Sequence, residues 1–184
     1  MTEWIDDAQR RIARYEGIRY LRYYDTRGVP TIGVGFNLER SDARVALLRS
    51  GVAPRDIEGV LTGKIALTTP EVENLFAYSW APIVSEARAS LAPGIFDALT
   101  DARRFVICDL AWNLGEAGWA TFDNTRAAIA AAQEAKDRNA PNAHVLFAEA
   151  ASQLALSLWY QQTGDRAVED CAMLRSGVYV PTVV

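Results

Sequence analysis

The stretch Tyr15-Glu16-Gly17-Ile18-Arg19, continued by Tyr24-Asp25-Thr26-Arg27-Gly28-Val29-Pro30-Thr31-Ile32-Gly33-Val34-Gly35-Phe36, decides how this chain is read, because its period changes midway. Upstream, Trp4, Ile5, Ala8, Ile12 and Tyr15 recur at helical spacing, with Thr2 placed to cap the helix and Gly17 to stop it. Glu16 therefore falls in the last turn. Downstream, Asp25-Thr26-Arg27-Gly28 is turn chemistry, and Thr31 to Phe36 is a short β-branched run broken by Gly33 and Gly35. That pattern predicts a small antiparallel hairpin or meander. Eight residues separate Glu16 from Asp25 and five separate Asp25 from Thr31. Two carboxyls on different elements, joined by so short a turn, can face one cleft as the acid and base that cut a glycosidic bond.

Working outward, Ser41 to Ser50 reads as a short helix ended by Gly51, and Pro54 to Gly59 as a further turn. Thr68-Thr69-Pro70-Glu71 is a helix start, with either Thr69 capping and Pro70 first, or Thr68 in a capping box with Glu71. The helix after it, about 69–81, carries Val72, Leu75, Phe76 and Trp80 on one side and bridges to the rest. Beyond it the pattern is helical: Ile83 to Leu91, Phe96 to Leu99, Arg103 to Leu114, Thr125 to Lys136, His144 to Trp159, and a short helix after Asp165. The polar run Lys136 to Asn142, broken by Pro141, reads as a surface loop. The expectation is an α+β fold in a single domain over 1–184. A β-containing lobe covers roughly 17–67, and a larger helical lobe is made of 1–16 plus 82–184.

Half of the 184 residues are apolar and 23% are charged, the composition of a folded globular protein. The net charge of -4 and the scattered arginines argue against a nucleic-acid partner. Cys108 and Cys171 are far apart and His144 is the only histidine, so no metal site and no cofactor is expected. Cys108, inside Phe105-Val106-Ile107-Cys108, reads as a small buried apolar side chain. Acids stand where a secretory signal would carry positive charge, and no run approaches the ~20 apolar residues of a membrane span. We therefore expect synthesis in the cytoplasm, no stable membrane insertion and a monomer.

In a glycosidase, one carboxyl stays protonated to donate to the leaving oxygen and the other stays ionised for the water or the oxocarbenium charge. Glu16, at a helix end whose carbonyls favour a neutral neighbour, suits the donor. Asp25, in a wetter turn rich in backbone donors, suits the second role, and Thr31 on the returning strand can help hold a water. Each also has a plain structural reading as a solvated charge, a turn residue and a strand former.

These motifs resemble the phage-type lysozymes, glycoside hydrolase family 24, whose signature is Glu, eight residues, Asp or Cys, five residues, Thr. The resemblance continues in Thr68 to Phe76, in Trp112-Asn113-Leu114-Gly115-Glu116-Ala117-Gly118 with Phe122-Asp123-Asn124-Thr125, and in Trp159-Tyr160-Gln161-Gln162-Thr163-Gly164-Asp165-Arg166. It implies an inverting muramidase acting on the β-1,4 bond between N-acetylmuramic acid and N-acetylglucosamine, with bacterial peptidoglycan as partner and access to the wall after release from the cell. It also implies Glu16, Asp25 and Thr31 as the catalytic set and Arg166 as the partner of the acid. Asn113, Asn124 and Trp112 would line or support the cleft, and Phe36 stands where the T-even enzymes have a histidine. The alternatives are a wall-binding or assembly protein with little turnover, and a transglycosylase or chitinase on the same scaffold.

Overall fold

In the computed structural model, residues 3–181 are described, so the expected Thr2 cap lies outside them. They form ten helices and one three-stranded sheet. The backbone clusters into two compact units, 1–82 and 83–184.

In the first unit, α1 (Glu3–Glu16) ends where Gly17, at φ 76°, turns back and donates its N–H to Ala13 O at 2.8 Å. Glycine meets that left-handed conformation without a Cβ clash, so the helix stops directly after Glu16. The strands β1 (Arg19–Tyr24), β2 (Pro30–Gly33) and β3 (Phe36–Asn37) follow as an antiparallel meander in the order β1-β2-β3. Tyr24 pairs with Pro30, Tyr23 with Thr31 and Thr31 with Asn37, while the β1 register shifts between Arg19 and Tyr23. Such an irregularity twists an edge strand and leaves part of its ladder open. One of the open groups, Tyr20 O, accepts from Leu67 N at 2.8 Å.

Ile32, Leu47, Val60, Leu75 and Trp80 are buried here, with Phe76 and Trp80 stacked at 5.2 Å. Helix α2 (Ala43–Ser50) ends at Gly51 as the sequence indicates, but Pro54 to Gly59 leads into a short helix, α3 (Ile57–Leu61). At Thr68 the capping-box reading holds. Glu71 accepts from the Thr68 N–H at 2.7 Å and from its hydroxyl at 2.8 Å.

Helix α4 (Thr69–Ala89) runs through Pro82, where the sequence suggests two helices, and the division between the units falls at that proline. Proline costs one intrahelical hydrogen bond without forbidding the helix when neighbouring turns hold it.

The second unit is helical: α5 (Ile95–Ala98), α6 (Asp101–Trp119), α7 (Asp123–Asp137), α8 (Ala143–Ala155), α9 (Leu158–Thr163) and α10 (Asp165–Ser176). Within α6, Gly115 departs from helical geometry at φ 69° and ψ 167°, close to where the sequence pattern ends at Leu114. The expected single helix from His144 to Trp159 is two. Ser157 adopts an extended conformation and its side chain accepts from Tyr160 N, starting α9. Phe105, Leu110, Ile129, Phe147, Leu154 and Leu174 fill this unit's core. Among the described residues every strand precedes residue 38, so the class is α+β, mostly helical with a small sheet.

Candidate active site

The hairpin turn builds its own anion site. Asp25 N donates to Val29 O and Gly28 N to Asp25 O, both at 3.0 Å, closing a tight turn in which Gly28 takes φ 80°. This aims two further backbone N–H groups, those of Arg27 and Val29, at Asp25 Oδ1, each at 2.8 Å. The Asp25 carboxyl is held below its ordinary range, first by the Val29 N–H, then by the Arg27 N–H and charge, with burial opposing. Arg27 Nε lies 3.6 Å from Oδ2, but its side chain is 83% exposed and the pair is screened. One carboxylate oxygen is thus committed to the backbone, while the other faces an exposed cation and solvent.

Thr31 is buried on β2 and its hydroxyl donates to Val29 O at 3.0 Å. A hydroxyl has one proton to give, so toward any incoming water Thr31 is an acceptor. Glu16, exposed at the end of α1, lines with Asp25, Thr31, Tyr23, Tyr24 and Asn37 one open pocket of roughly 490 Å³. The Tyr23 hydroxyl is raised, chiefly by burial and further by the charges of Glu16 and Asp25, while Arg19 opposes. The three residues of the sequence motif are therefore brought together. Phe36 is elsewhere: it is 4% exposed, in the core, with the Arg40 guanidinium 5.2 Å from its ring.

The remaining sequence candidates lie in the second unit. Asn113 and Asn124 both line a groove of roughly 1100 Å³ with Phe122, Gln153, Ser157 and Trp159. Asn113 Oδ1 accepts from Trp159 Nε1 at 2.9 Å, leaving its amide N–H₂ to offer. Trp112 is half-buried on α6. Arg166 is buried on α10 and grips Asp109 of α6 with two parallel bonds, Nε to Oδ2 at 2.8 Å and Nη2 to Oδ1 at 2.7 Å.

Asp170, one helical turn beyond Arg166, is fully buried, and among the described residues no N–H or O–H donor reaches either of its oxygens. It lies against Asp109, and two ionised carboxylates cannot share that contact. Its carboxyl is raised well above the ordinary range by burial first, then by the Asp109 charge and hydrogen bond, with Arg166 opposing and Glu169 adding slightly. Burial and the Asp109 charge thus both favour the protonated form of Asp170. Asp109 and Asp170 escape sequence reading because they lie 57 and 4 residues from Arg166 on helices whose pattern signals only core. Among the described residues no cluster of His, Cys, Asp or Glu could hold a metal.

The chain is 26% identical over 168 residues to the pre-baseplate central spike protein Gp5 of Enterobacteria phage T4, a match covering 90% of this chain. It spans only about a quarter, 27%, of that protein's length. No family model matches the chain. This corrects the assignment to glycoside hydrolase family 24: the motif blocks are short, and the likeness they carry does not extend to a family profile. What remains is distant similarity to a phage spike protein.

Proposed function

We propose that this protein is a peptidoglycan muramidase of lysozyme type, hydrolysing the β-1,4 bond between N-acetylmuramic acid and N-acetylglucosamine. The observation that carries the reading is the hairpin site, in which backbone N–H groups keep Asp25 ionised in the same pocket as an acid at a helix end. The similarity to a phage spike protein supports a peptidoglycan-related role.

In this mechanism Glu16 gives its proton to the leaving glycosidic oxygen. Asp25 uses the oxygen not tied to Val29 and Arg27 to draw a proton from water, and Thr31 accepts that water's other hydrogen. A water held in this way attacks the anomeric carbon directly, so the product carries the inverted anomer. Asn113, Asn124 and Arg166 are assigned supporting roles, and the protein would meet the wall after release from the cell in which it is made.

The Gp5 match favours a second reading, a wall-binding or assembly module with little turnover. Dye release from labelled bacterial walls separates the two. The parent should release dye and Glu16→Gln should not, while both still sediment with walls. Release by neither chain, with binding retained, supports the module.

A further inference from the structure

The rim of the Asp25 pocket carries an aromatic ring that the acid chemistry does not use. Tyr24 closes β1, directly precedes Asp25, and lines the pocket that holds Glu16 and Asp25. It is 61% exposed, the most solvent-accessible aromatic side chain among the described large apolar residues of this unit. A large ring left in water at the mouth of a polar pocket is surface that a ligand can cover.

The ring is also held in place. Its backbone is fixed by pairing with Pro30, and the Arg22 guanidinium sits 5.0 Å from its centroid. Arg22 is itself anchored, donating from Nη1 to Leu61 O at 3.3 Å. One face of the ring is thus backed by a fixed cation, and with most of the residue still in water the opposite face is open.

A pyranose ring offers flat C–H faces bordered by hydroxyls, which match an open aromatic face with a phenol at its edge. Arg19, Arg22 and Arg27 stand against the single acid Asp25 between residues 19 and 29, so this hairpin is locally basic in a chain of net charge -4. That sign suits a glycan strand carrying carboxylates.

We propose that Tyr24, backed by Arg22, is a stacking platform that seats one pyranose ring of an N-acetylated glycan strand at the Asp25 pocket. This rests on the glycan reading above. It adds a specificity-determining residue that binds substrate without taking part in proton transfer.

The test uses calorimetric titration of an N-acetylglucosamine tetrasaccharide into the full chain carrying Glu16→Gln, alone and combined with Tyr24→Ala, Tyr24→Phe or Tyr24→Trp. Tyr24→Ala should weaken binding about tenfold, while Phe and Trp keep it within about twofold, as stacking requires. With Glu16 restored, Tyr24→Ala should raise KM on soluble wall fragments by a similar factor and change kcat by less than about twofold. Equal affinity of Tyr24→Ala and its parent overturns the platform. So does loss of binding in Tyr24→Phe, which would assign the effect to the hydroxyl, or no tetrasaccharide binding at all. An inactive parent whose binding still depends on the Tyr24 ring would reject hydrolysis and keep the platform, so the two claims fail separately.

Discussion

Asp25 in the first unit and Asp170 in the second are both carboxyls held by close neighbours, and their surroundings drive them in opposite directions. Asp25 sits in a surface turn where two backbone N–H groups converge on one oxygen, and it is held ionised. Asp170 is fully buried on α10 against Asp109 of α6, and burial and that neighbouring charge both push it toward its protonated form. The more strongly perturbed group belongs to the architecture and the mildly perturbed one to the pocket. A shifted carboxyl marks an active site only when the geometry around it leaves room for a substrate. Asp25 has that room and Asp170 has none.

The contrast breaks most visibly at Asp25. Asp25→Asn should cut wall hydrolysis by about 10²–10⁴ while the hairpin persists, since the amide oxygen still accepts from Arg27 and Val29. In the parent, the acidic limb of kcat/KM governed by Asp25 should lie below the usual carboxylate range, read from a pH–rate profile. A limb at ordinary carboxylate pH would mean that the backbone donors do not control this group.

Next in size is Arg166→Ala. It leaves Asp109 and Asp170 buried together without their cation, and should cost about 3–5 kcal/mol in a denaturant titration. A smaller perturbation is Asp170→Asn, which keeps the shape and removes the raised carboxyl. Because the folded group binds its proton more tightly than the unfolded one, its stabilisation is complete at low pH and is lost as pH rises through its folded value. The Asn variant should therefore lack that loss and gain roughly 2–4 °C in Tm near neutral pH, for about 1 kcal/mol in a chain of this size. Asp25 contributes with the opposite sign, its stabilisation disappearing as pH falls through its lowered value. Smallest is Thr68→Ala, which removes the Thr68–Glu71 cap of α4 and should cost about 0.5 kcal/mol by thermal melt.

What was legible in sequence was local. The stop at Gly17, the turn at Asp25 to Gly28 and the Thr68 capping box each depend on chemistry within four residues, and each stands in the fold. The motif residues Glu16, Asp25 and Thr31 meet in one pocket because the same short turn that spaces them also folds them. Long-range terms were not legible. Pro82 reads as a breaker because the neighbouring turns that keep α4 helical are invisible in the local pattern. Ser157 interrupts an unbroken apolar period, since a cap without an acid three residues later leaves little trace. The Arg166–Asp109 grip joins two helices 57 residues apart and carries no spacing signal at all. The family assignment failed for the same reason in reverse, because short local blocks can agree where the whole chain does not match a profile.

Hydrolysis of the glycan strand by Glu16 and Asp25 is put to the test by mass spectrometry of the products released from purified peptidoglycan by the parent and by Glu16→Gln. The parent alone should release fragments ending in reducing N-acetylmuramic acid, heavier by one water than the uncut repeat. Fragments ending in a 1,6-anhydro sugar, or equal release by Glu16→Gln, would contradict it.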